Sequence, residues 1–374
     1  MRTTNEVLYK KIEDYIMDYI SQRNLRKGDR LPPERHIGDH FGVSQCTVRM
    51  ATKSFIKKGV LARQHGKGMF VRQDSSLMKV STGKIGVISC YKGVGLFSFP
   101  SNKDLFSIMQ GRASEIDKSL VFKCCGRDKT ADMGVIEELG REVDGFVVFG
   151  LLPEMQDRVI AAIRSTGKPV VFLCVEGLPG DVNSVVGDME AGTRDITQHV
   201  IDAGHTRIAF LYAITFLSEK ITPRTWQKIR SFKNTLDDNG FESRHAFIAG
   251  IVTHDDPEKN PSFTDFRKMM ESKNPPTAII CSNDITALSV YRMAERLNLS
   301  IPDDLSVTGM YNYPDSQAFN PPLTTIDDHR IDLGIQVIDR LEQLHAEYIK
   351  GSGTKPFRMV LPVTVVKRNS VKNL

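Results

Sequence analysis

Residues 31–70 constrain the fold of this chain more than any other stretch, because their sequence predicts two short helices joined by a tight turn. Pro33 suits the first turn of a helix that ends at Phe41, and Gly42 supplies the left-handed residue that commonly follows a helix. Ser44 can cap the next helix through its hydroxyl. The stretch therefore predicts a helix-turn-helix.

The second helix of this pair has one apolar and one polar face. Its apolar positions are Val48, Ala51 and Phe55, and its polar positions, four residues apart, are Gln45, Arg49 and Lys53. At the helical period these two sets lie on opposite sides. We therefore expect one side to be buried and the other to offer a cationic, amide-bearing surface to a partner.

A short hairpin is predicted after the second helix. Val60 and Leu61 begin one strand, residues 65–68 (HGKG) form a basic turn, and residues 69–71 form the other strand. An amphipathic helix from about Glu6 to Gln22 should pack under these elements through an apolar stripe with a four-residue period. The stripe consists of Leu8, Ile12, Ile16 and Ile20. Together these elements predict an N-terminal winged helix-turn-helix of the α+β class.

Three segments resemble the signature of the GntR family of bacterial transcription regulators. They are residues 31–35 (LPPER), 42–49 (GVSQCTVR) and 66–71 (GKGMFV), against the family patterns L-P-S-E-R, G-V-S-R-x-T-V-R and G-x-G-x-F-V. The resemblance implies that the partner is double-stranded operator DNA. It also implies DNA contacts by Arg35, Ser44, Thr47, Arg49, His65 and Gly66. We add Lys67, which extends the basic tip of the hairpin.

The residue after the capping Ser44 departs from the family, which usually has Arg where this chain has Gln45. Arg prefers guanine edges and Gln prefers adenine. We therefore expect Gln45 to lie at a base edge and the operator to differ from the commonest family consensus. The alternative for Arg35 and Arg49 is an ordinary solvated helix face, and for His65 an ordinary turn.

Charge is unevenly distributed along the chain. Residues 1–72 contain 15 Lys and Arg against 7 Asp and Glu, a net charge of +8. The remaining 35 basic and 38 acidic residues leave the rest of the chain at −3. A polyanionic partner is therefore predicted for the first domain alone.

Length and composition predict two or three ordinary globular domains, since the 374 residues are 40% hydrophobic and 25% charged. The six cysteines have neither C-x-x-C pairs nor zinc-finger spacing, which is typical of thiols in a reducing compartment. The polar N-terminus is unlike a signal peptide, and no apolar run approaches the ~20 residues that span a bilayer. We therefore expect a cytoplasmic protein with no metal, cofactor or membrane partner.

The chain from residue 73 onward predicts a linker and then an α/β core. Residues 73–83 are polar and aperiodic, as in a linker, and from Lys84 short apolar runs alternate with amphipathic stretches. Strands are predicted at 85–88, 121–122, 146–148, 170–172, 208–210, 278–280 and 306–307, and helices near 104–118, 154–166, 191–203, 226–238, 284–298 and 331–349. This alternation predicts doubly wound parallel sheets, with length enough for two.

The core shows no catalytic signature. The loop Gly93-Val94-Gly95 lacks the third glycine of a dinucleotide-binding turn, and Asp255, Asp256 and Glu258 lie in a Pro- and Asn-rich loop typical of solvated side chains. No P-loop, nucleophile elbow or H-E-x-x-H motif is present. The rival class, an enzyme or solute-binding protein with an accessory DNA domain, is therefore not favoured.

Three segments of the core resemble the effector domain of the lac repressor family, which shares its fold with periplasmic sugar-binding proteins. They are residues 186–210 (VGDMEAGTRDITQHVIDAGHTRIAF), 278–287 (AIICSNDITA) and 301–325 with the Ile326 that follows, which contain IPDDLSVTGM and NPPLTTI. The resemblance implies a two-lobed core over about 84–367. One lobe would comprise about 84–187 and 328–350, and the other about 188–327 and 351–367.

The same resemblance implies an effector pocket whose usual residues are partly changed here. The family's Arg, Asp and Asp at three positions fall on Lys228, Tyr311 and Cys174, whereas Asn283 and Asp284 keep the family's residues. The predicted effector-binding set is Phe149, Cys174, Lys228, Asn283, Asp284, Tyr311, Asn312 and Asp328. The alternative is a small register shift in which Arg224 or Arg230 replaces the missing Arg.

A GntR domain on a lac-repressor-type core resembles the arabinose-repressor class. The resemblance implies a homodimeric repressor of a carbohydrate-utilisation operon, released when its lobes close on a small sugar. A pocket with Lys and Tyr in place of Arg and Asp favours a pentose or deoxyhexose such as arabinose or fucose, with bare carbon on Tyr311 or Phe149. The alternative is a purine or other metabolite, which could also act as a co-repressor.

Overall fold

The computed structural model describes residues 4–23, 25–57, 59–64, 66–72, 81–89, 100–126, 132–214, 221–252, 259–352 and 355–374. The chain divides into two compact units, Met1–Ser81 and Thr82–Leu374. Several sequence predictions lie outside the described residues. They concern His65, most of the 73–83 linker, the 93–95 loop and the acidic loop at 255–258.

The first unit is a winged helix-turn-helix, as predicted. Its described elements are helices α1 (Thr4–Gln22), α2 (Glu34–Phe41) and α3 (Gln45–Lys57), followed by strands β1 (Leu61–Gln64) and β2 (Gly68–Val71). The two strands pair antiparallel, with Leu61 opposite Val71. Gly42 ends α2 at φ 65°, in the left-handed region where a side chain is strained.

The core of the first unit forms where the apolar faces of its helices meet. Ile12, Ile16 and Ile20 of α1 are buried together with Val48 and Phe55 of α3. The stripe read from the sequence is therefore the buried face of α1. Burial of side chains of this size contributes about 1.5–3 kcal/mol each, which holds α3 in place and leaves its polar face exposed.

The second unit contains two parallel sheets and the helices that cover them. Its described strands are β3 (Lys84–Ser89), β4 (Ser119–Cys124), β5 (Gly145–Phe149), β6 (Val170–Leu173), β7 (Ser184–Gly187), β8 (Ile208–Ile214), β9 (Ile248–Val252), β10 (Ala278–Cys281), β11 (Ser306–Thr308), β12 (Thr325–Asp327), β13 (Arg358–Leu361) and β14 (Thr364–Val366). Its described α-helices are α4 (Pro100–Glu115), α5 (Gly134–Gly140), α6 (Gln156–Thr166), α7 (Met189–Asp202), α8 (Pro223–Asp238), α9 (Phe263–Met270), α10 (Asp284–Arg296) and α11 (Arg330–Lys350).

The first lobe is built on a six-stranded sheet in the order β13-β7-β6-β5-β3-β4, and all its described pairings are parallel. Side chains of β5 alternate between its two faces. Phe146 and Val148 pack in the core that includes Ile136 of α5, whereas Val147 packs in the core that includes Leu341 of α11. Both faces are thus apolar, which is why its strands read as continuous hydrophobic runs.

The second lobe is built on a four-stranded parallel sheet in the order β11-β10-β8-β9. Ala209 and Leu211 of β8 face a core with α9 and α10, and Phe210 faces a core with α7 and α8. A short antiparallel pair, β12 with β14, adjoins the lobes' crossing segments. The predicted α/β class with doubly wound parallel sheets is confirmed.

The chain passes between the lobes near 188, near 328 and near 362, and the last of these positions corrects a prediction. The segment 351–367 was expected in the second lobe, but β13 pairs with β7, Arg358 opposite Ser184, at the edge of the first sheet. Its alternate residues Met359 and Leu361 pack on the first-lobe core. Pro362 then ends the strand, and β14 pairs with β12.

The linker boundary also differs from the expected one. Residues up to 83 were expected to be linker, but the backbone N–H groups of Thr82 and Gly83 donate to the two carboxylate oxygens of buried Asp144. These two residues therefore belong to the second unit. Asp144 is more than sixty residues away in the chain, so the polar composition of residues 73–83 could not predict these hydrogen bonds.

The elements that the sequence did not predict are strands β7, β9, β12, β13 and β14 and helices α5 and α9. They are short, at most eight residues, so their periodicity is too brief to distinguish strand from helix. Among the described helices, none combines the length and the apolar character needed to cross a membrane.

Candidate functional site

The first unit presents a polar face on α3 and the hairpin. Ser44 caps α3, because its hydroxyl oxygen accepts the Thr47 N–H at 3.2 Å. Arg35, Gln45 and Lys67 are exposed. Apart from His65, the predicted DNA-contacting residues thus lie at the start of α2, at the start of α3 and in the turn between β1 and β2.

Arg49 is held in place on this face by an ion-pair network that the sequence did not reveal. Its Nε donates to Glu34 Oε2 at 2.8 Å, and Arg63 of β1 donates to the other carboxylate oxygen of Glu34 at 2.6 Å. The Arg49 side chain is still 57% exposed. Glu34 therefore orients two guanidinium groups, one on α3 and one on the hairpin.

The second unit contains a cavity of about 370 Å³ between its two lobes. It lies at the carboxyl ends of the strands, where open α/β sheets bind ligands, and is within the size range of small-molecule sites. From the first lobe it is lined by Phe149, which ends β5, and by Cys174, which follows β6. From the second lobe it is lined by Lys228, Asn283 and Tyr311, and Asp328 of a crossing segment completes the predicted residues found there.

Lys228 is a buried residue that lines this cavity. Its ammonium donates to the Ser282 carbonyl and to the Tyr311 hydroxyl, both at 2.7 Å, and lies 4.4 Å from the Tyr311 ring centroid. Burial, and then the charge of Arg224, hold the pKa of Lys228 well below its usual range. A negative charge in the cavity would therefore favour protonation of Lys228.

Arg224 projects into the cavity from the first turn of α8. Its Nη1 donates to the Cys174 carbonyl at 3.1 Å, and its guanidinium carbon lies 5.3 Å from the Tyr311 ring centroid. Its Nε and Nη2 atoms are buried and have no hydrogen-bond partner among the described residues. Of the two Arg residues considered as alternatives from the sequence, Arg224 lines the cavity, whereas Arg230 is 63% exposed and lies beside Glu190.

The aromatic ring of Tyr311 lies near the basic side chains of the cavity. The backbone of Tyr311 is strained. Its φ is 92°, outside the usual range for a residue with a side chain, and Cys174 across the cavity has φ 57°. Strain of this kind costs about 1–3 kcal/mol per residue and concentrates at functional sites. Burial raises the pKa of the Tyr311 hydroxyl, so it stays protonated.

Arg330 also lines the cavity, although the sequence did not predict it there. Its guanidinium carbon lies 5.5 Å from the Tyr311 centroid and 5.1 Å from the Tyr313 centroid, and its Nε is 3.2 Å from Asp328 Oδ1. Burial raises the pKa of Asp328, and the charges of Arg330 and Arg224 oppose that shift. Arg330 begins α11 just after the Asp-Asp-His run at 327–329, which is the only local signal that could have indicated it.

Two residues predicted to bind the effector do not line the cavity. Asp284 is buried beside it, where its carboxylate accepts the Thr325 hydroxyl at 2.6 Å and the Tyr313 N–H at 2.7 Å. Asn312 forms hydrogen bonds with Asp327 and Arg368 instead. Each of these two residues follows the end of a strand, where adjacent side chains point in different directions. The residue before each of them, Asn283 and Tyr311, lines the cavity instead.

Asn283 has a double role at the start of α10. Its side-chain oxygen caps the helix by accepting the Thr286 N–H at 2.7 Å, and the residue also lines the cavity. Its amide nitrogen is therefore the group that can contact a ligand. Among the described residues, no group of three or more His, Cys, Asp or Glu side chains is arranged to hold a metal ion.

Comparison with protein families finds one matching model in each unit. Residues 8–71 match the model of bacterial regulatory proteins of the gntR family, and residues 197–371 match the model of a periplasmic binding protein-like domain.

Two curated relatives match nearly the whole chain. The arabinose metabolism transcriptional repressor of Geobacillus stearothermophilus is 23% identical over 373 residues, 98% of each chain. The lactose operon repressor of Escherichia coli K12 is 25% identical over 341 residues, 89% of each chain. Both relatives are named as transcription repressors.

Solved structures of the same fold include two regulators with bound ligands. A complex of the transcriptional regulator CelR with cellobiose has a TM-score of 0.66 at 18% identity and covers 91% of this chain and 100% of that one. The lac repressor dimer bound to operator and the anti-inducer ONPF has a TM-score of 0.63 at 24% identity, over 79% of this chain and 95% of that one. At this identity the likeness establishes the fold.

Proposed function

Because this chain joins a gntR-family DNA-binding domain to a periplasmic binding protein-like domain, we propose that it is a ligand-responsive transcription repressor of a carbohydrate-utilisation operon. The observation that carries the proposal is the cavity of the second unit, where Arg224, Lys228 and Asn283 present donors to a small molecule at the strand ends. The exposed polar face around Arg49 on the same chain would bind operator DNA. A monosaccharide in the cavity would release the operator, in the cytoplasm where the DNA is.

The DNA-binding form is proposed to be a homodimer on a two-fold related operator. One short helix and one hairpin contact few bases, so a specific affinity of ~10⁻⁸ to 10⁻¹¹ M requires two half-sites. Arg49 suits base contact, because Glu34 holds its Nε and leaves the Nη groups of an exposed side chain for a guanine edge.

We expect Arg49→Ala to weaken operator binding by about 1–3 kcal/mol, since it would remove a bidentate base contact. Fluorescence anisotropy with an operator selected from randomised duplexes measures the loss. Arg244→Ala, which removes a 75% exposed arginine of the second unit, is the matched control and should bind as the wild type does. An equal loss on operator and on random DNA would show that Arg49 contacts phosphate, and unchanged affinity would exclude Arg49 from the interface.

The carbon skeleton of the effector is proposed to be that of a pentose or a deoxyhexose. Tyr311 and Phe149 both line the cavity and offer apolar faces on which a carbon without a hydroxyl can rest. Fully hydroxylated hexoses would place a polar group against such a face without a hydrogen bond, which is unfavourable.

We expect L-arabinose or L-fucose to bind at least tenfold more tightly than glucose or galactose, a difference of ~1.4 kcal/mol in binding free energy. The same two sugars should release operator at correspondingly lower concentrations. Calorimetry measures the affinity and anisotropy measures the release. Asn283→Asp keeps the helix cap and removes the amide donor, so it should weaken every sugar that binds. Release by a nucleobase with no response to any sugar would contradict the proposal, and an unchanged Asn283→Asp variant would place the site elsewhere.

A further inference from the structure

The described lining of the cavity contains more cationic than anionic side chains. Its charged residues are Arg224, Lys228, Arg330, Glu176 and Asp328. Glu176 is already neutralised, because its Oε2 lies 2.8 Å from Arg358 Nη2, outside the lining. Asp328 is therefore the carboxylate that balances three cations among these residues, and it lies 3.2 Å from Arg330.

Lys228 can become neutral by losing a proton, whereas Arg224 stays charged. The Lys228 ammonium is bound to a carbonyl and a hydroxyl, and its low pKa allows it to lose its proton. A guanidinium stays charged in proteins at any pH that they tolerate. Arg224 thus contributes a fixed positive charge to the cavity wall.

No carboxylate among the described residues forms an ion pair or hydrogen bond with Arg224, and Asp328, whose charge acts on it from nearby, is paired with Arg330. Its hydrogen-bond acceptor is the neutral Cys174 carbonyl, and Nε and Nη2, which form one edge of the guanidinium, are buried without an acceptor among the described residues. A buried charge without a partner is costly, and a buried donor without an acceptor costs about 1–3 kcal/mol. An acceptor that also carries negative charge would satisfy both needs.

The side-chain ends of Arg224, Lys228 and Arg330 all lie close to the Tyr311 ring. The charged ends of Arg224, Lys228 and Arg330 lie 5.3, 4.4 and 5.5 Å from the centroid of the Tyr311 ring. Arg224 and its neighbours Thr222 and Thr225 also bring the N-terminal end of α8 to the cavity, where the helix dipole is positive. A neutral polyol could accept hydrogen bonds here, but it would leave the charge uncompensated.

We propose that the effector carries a carboxylate or phosphate group, which binds the Nε–Nη2 edge of Arg224 with Arg330 and Lys228 close by. This inference rests on the proposed function and narrows it, from a monosaccharide to a monosaccharide acid or a sugar phosphate. Two parallel N–H donors of a guanidinium match the two oxygens of either group, and the remaining sugar carbons contact Tyr311 and Phe149. An anion also stabilises the protonated form of Lys228, so binding takes up a proton at a pH where Lys228 is neutral.

The test compares each aldose with its anionic derivatives on the full-length wild-type protein. Calorimetry is carried out with L-arabinose, L-fucose and galactose, with arabinonate, fuconate and galacturonate, and with arabinose 5-phosphate. The best anion should bind at least tenfold more tightly than the aldose of the same skeleton, and repetition in buffers of different ionisation enthalpy should reveal proton uptake for the anion alone. Comparison of the sugar acids with arabinose 5-phosphate shows whether the anionic group of the effector is a carboxylate or a phosphate.

Matched variants on one helix locate the anion. Arg224→Gln should reduce the preference for the anion over the neutral aldose, measured as the ratio of the two affinities in the same variant, to less than twofold. Arg230→Gln, on an exposed part of the same helix, should keep the full preference. If Arg224→Gln does not fold, the wild-type comparison of anion and aldose still decides the proposal.

The outcomes separate this inference from the proposed function. Neutral sugars that bind as tightly as their anions, and that release operator, would overturn the anionic effector and leave the sugar-responsive repressor standing. A full anion preference in Arg224→Gln would overturn the assignment to Arg224. Failure of every sugar and every anion to bind a protein that still binds operator would overturn both the inference and the sugar effector.

Discussion

Gly309→Ala is expected to destabilise the second unit by about 3–5 kcal/mol, a size typical of overpacking combined with a broken buried hydrogen-bond network. A Cβ at this position would lie 2.1 Å from Asp284 Oδ1 and 2.8 Å from Leu323 Cδ2. Neither neighbour can move freely. The Asp284 carboxylate holds the Thr325 hydroxyl and the Tyr313 N–H, and Leu323 is fully buried.

The loss is measured by urea unfolding followed through the single tryptophan, Trp226, which lies on α8 of the second unit. Gly111→Ala is the matched control, because it is also a glycine of the second unit but has no atom within 4 Å of the new Cβ. It lies inside helix α4, where the change should stabilise by about 0.5–1 kcal/mol. A Gly309→Ala protein as stable as the wild type would show that Asp284 moves aside without cost.

The stability of the second unit is expected to fall by ~3 kcal/mol between pH 5 and pH 8 because of Asp284. Burial raises the pKa of this carboxyl to about 7, whereas in the unfolded chain it is ~3.9. The native state therefore favours the protonated form. The contribution to stability is fully present below the unfolded pKa and is lost as the pH rises through the folded pKa.

The measurement is the difference in unfolding free energy between the wild type and Asp284→Asn at each pH, which cancels the titration of other groups. The wild type should lose stability relative to the variant as the pH rises. Asp265→Asn, at a 79% exposed carboxylate of the same unit, is the control and should remain parallel to the wild type. A wild type that gains stability relative to Asp284→Asn over this range would show that the two donors on Asp284 outweigh its burial.

The DNA-binding unit and the α/β class could be predicted because their signals are local. The stop at Phe41 and Gly42, the cap at Ser44 and the apolar spacing of Val48, Ala51 and Phe55 each involve residues a few positions apart. Buried parallel strands such as 146–148 are apolar on both faces, and they are therefore visible as continuous runs. The family resemblance also predicted Lys228, Asn283 and Tyr311 as effector-binding residues, and all three line one cavity.

Local sequence patterns were thus enough to predict the winged helix-turn-helix and the α/β class of the second unit. The folded chain was needed to show that Arg358 pairs with Ser184 in the first lobe and that Glu34 orients Arg49. It was also needed to show that Arg224 and Arg330 line the cavity while Asp284 does not. The physical reason is that strand pairing, side-chain direction and buried charge depend on partners far away in the chain. A carboxylate beside a strand end reads the same in sequence whether it faces a ligand or, like that of Asp284, a buried threonine hydroxyl and a backbone amide.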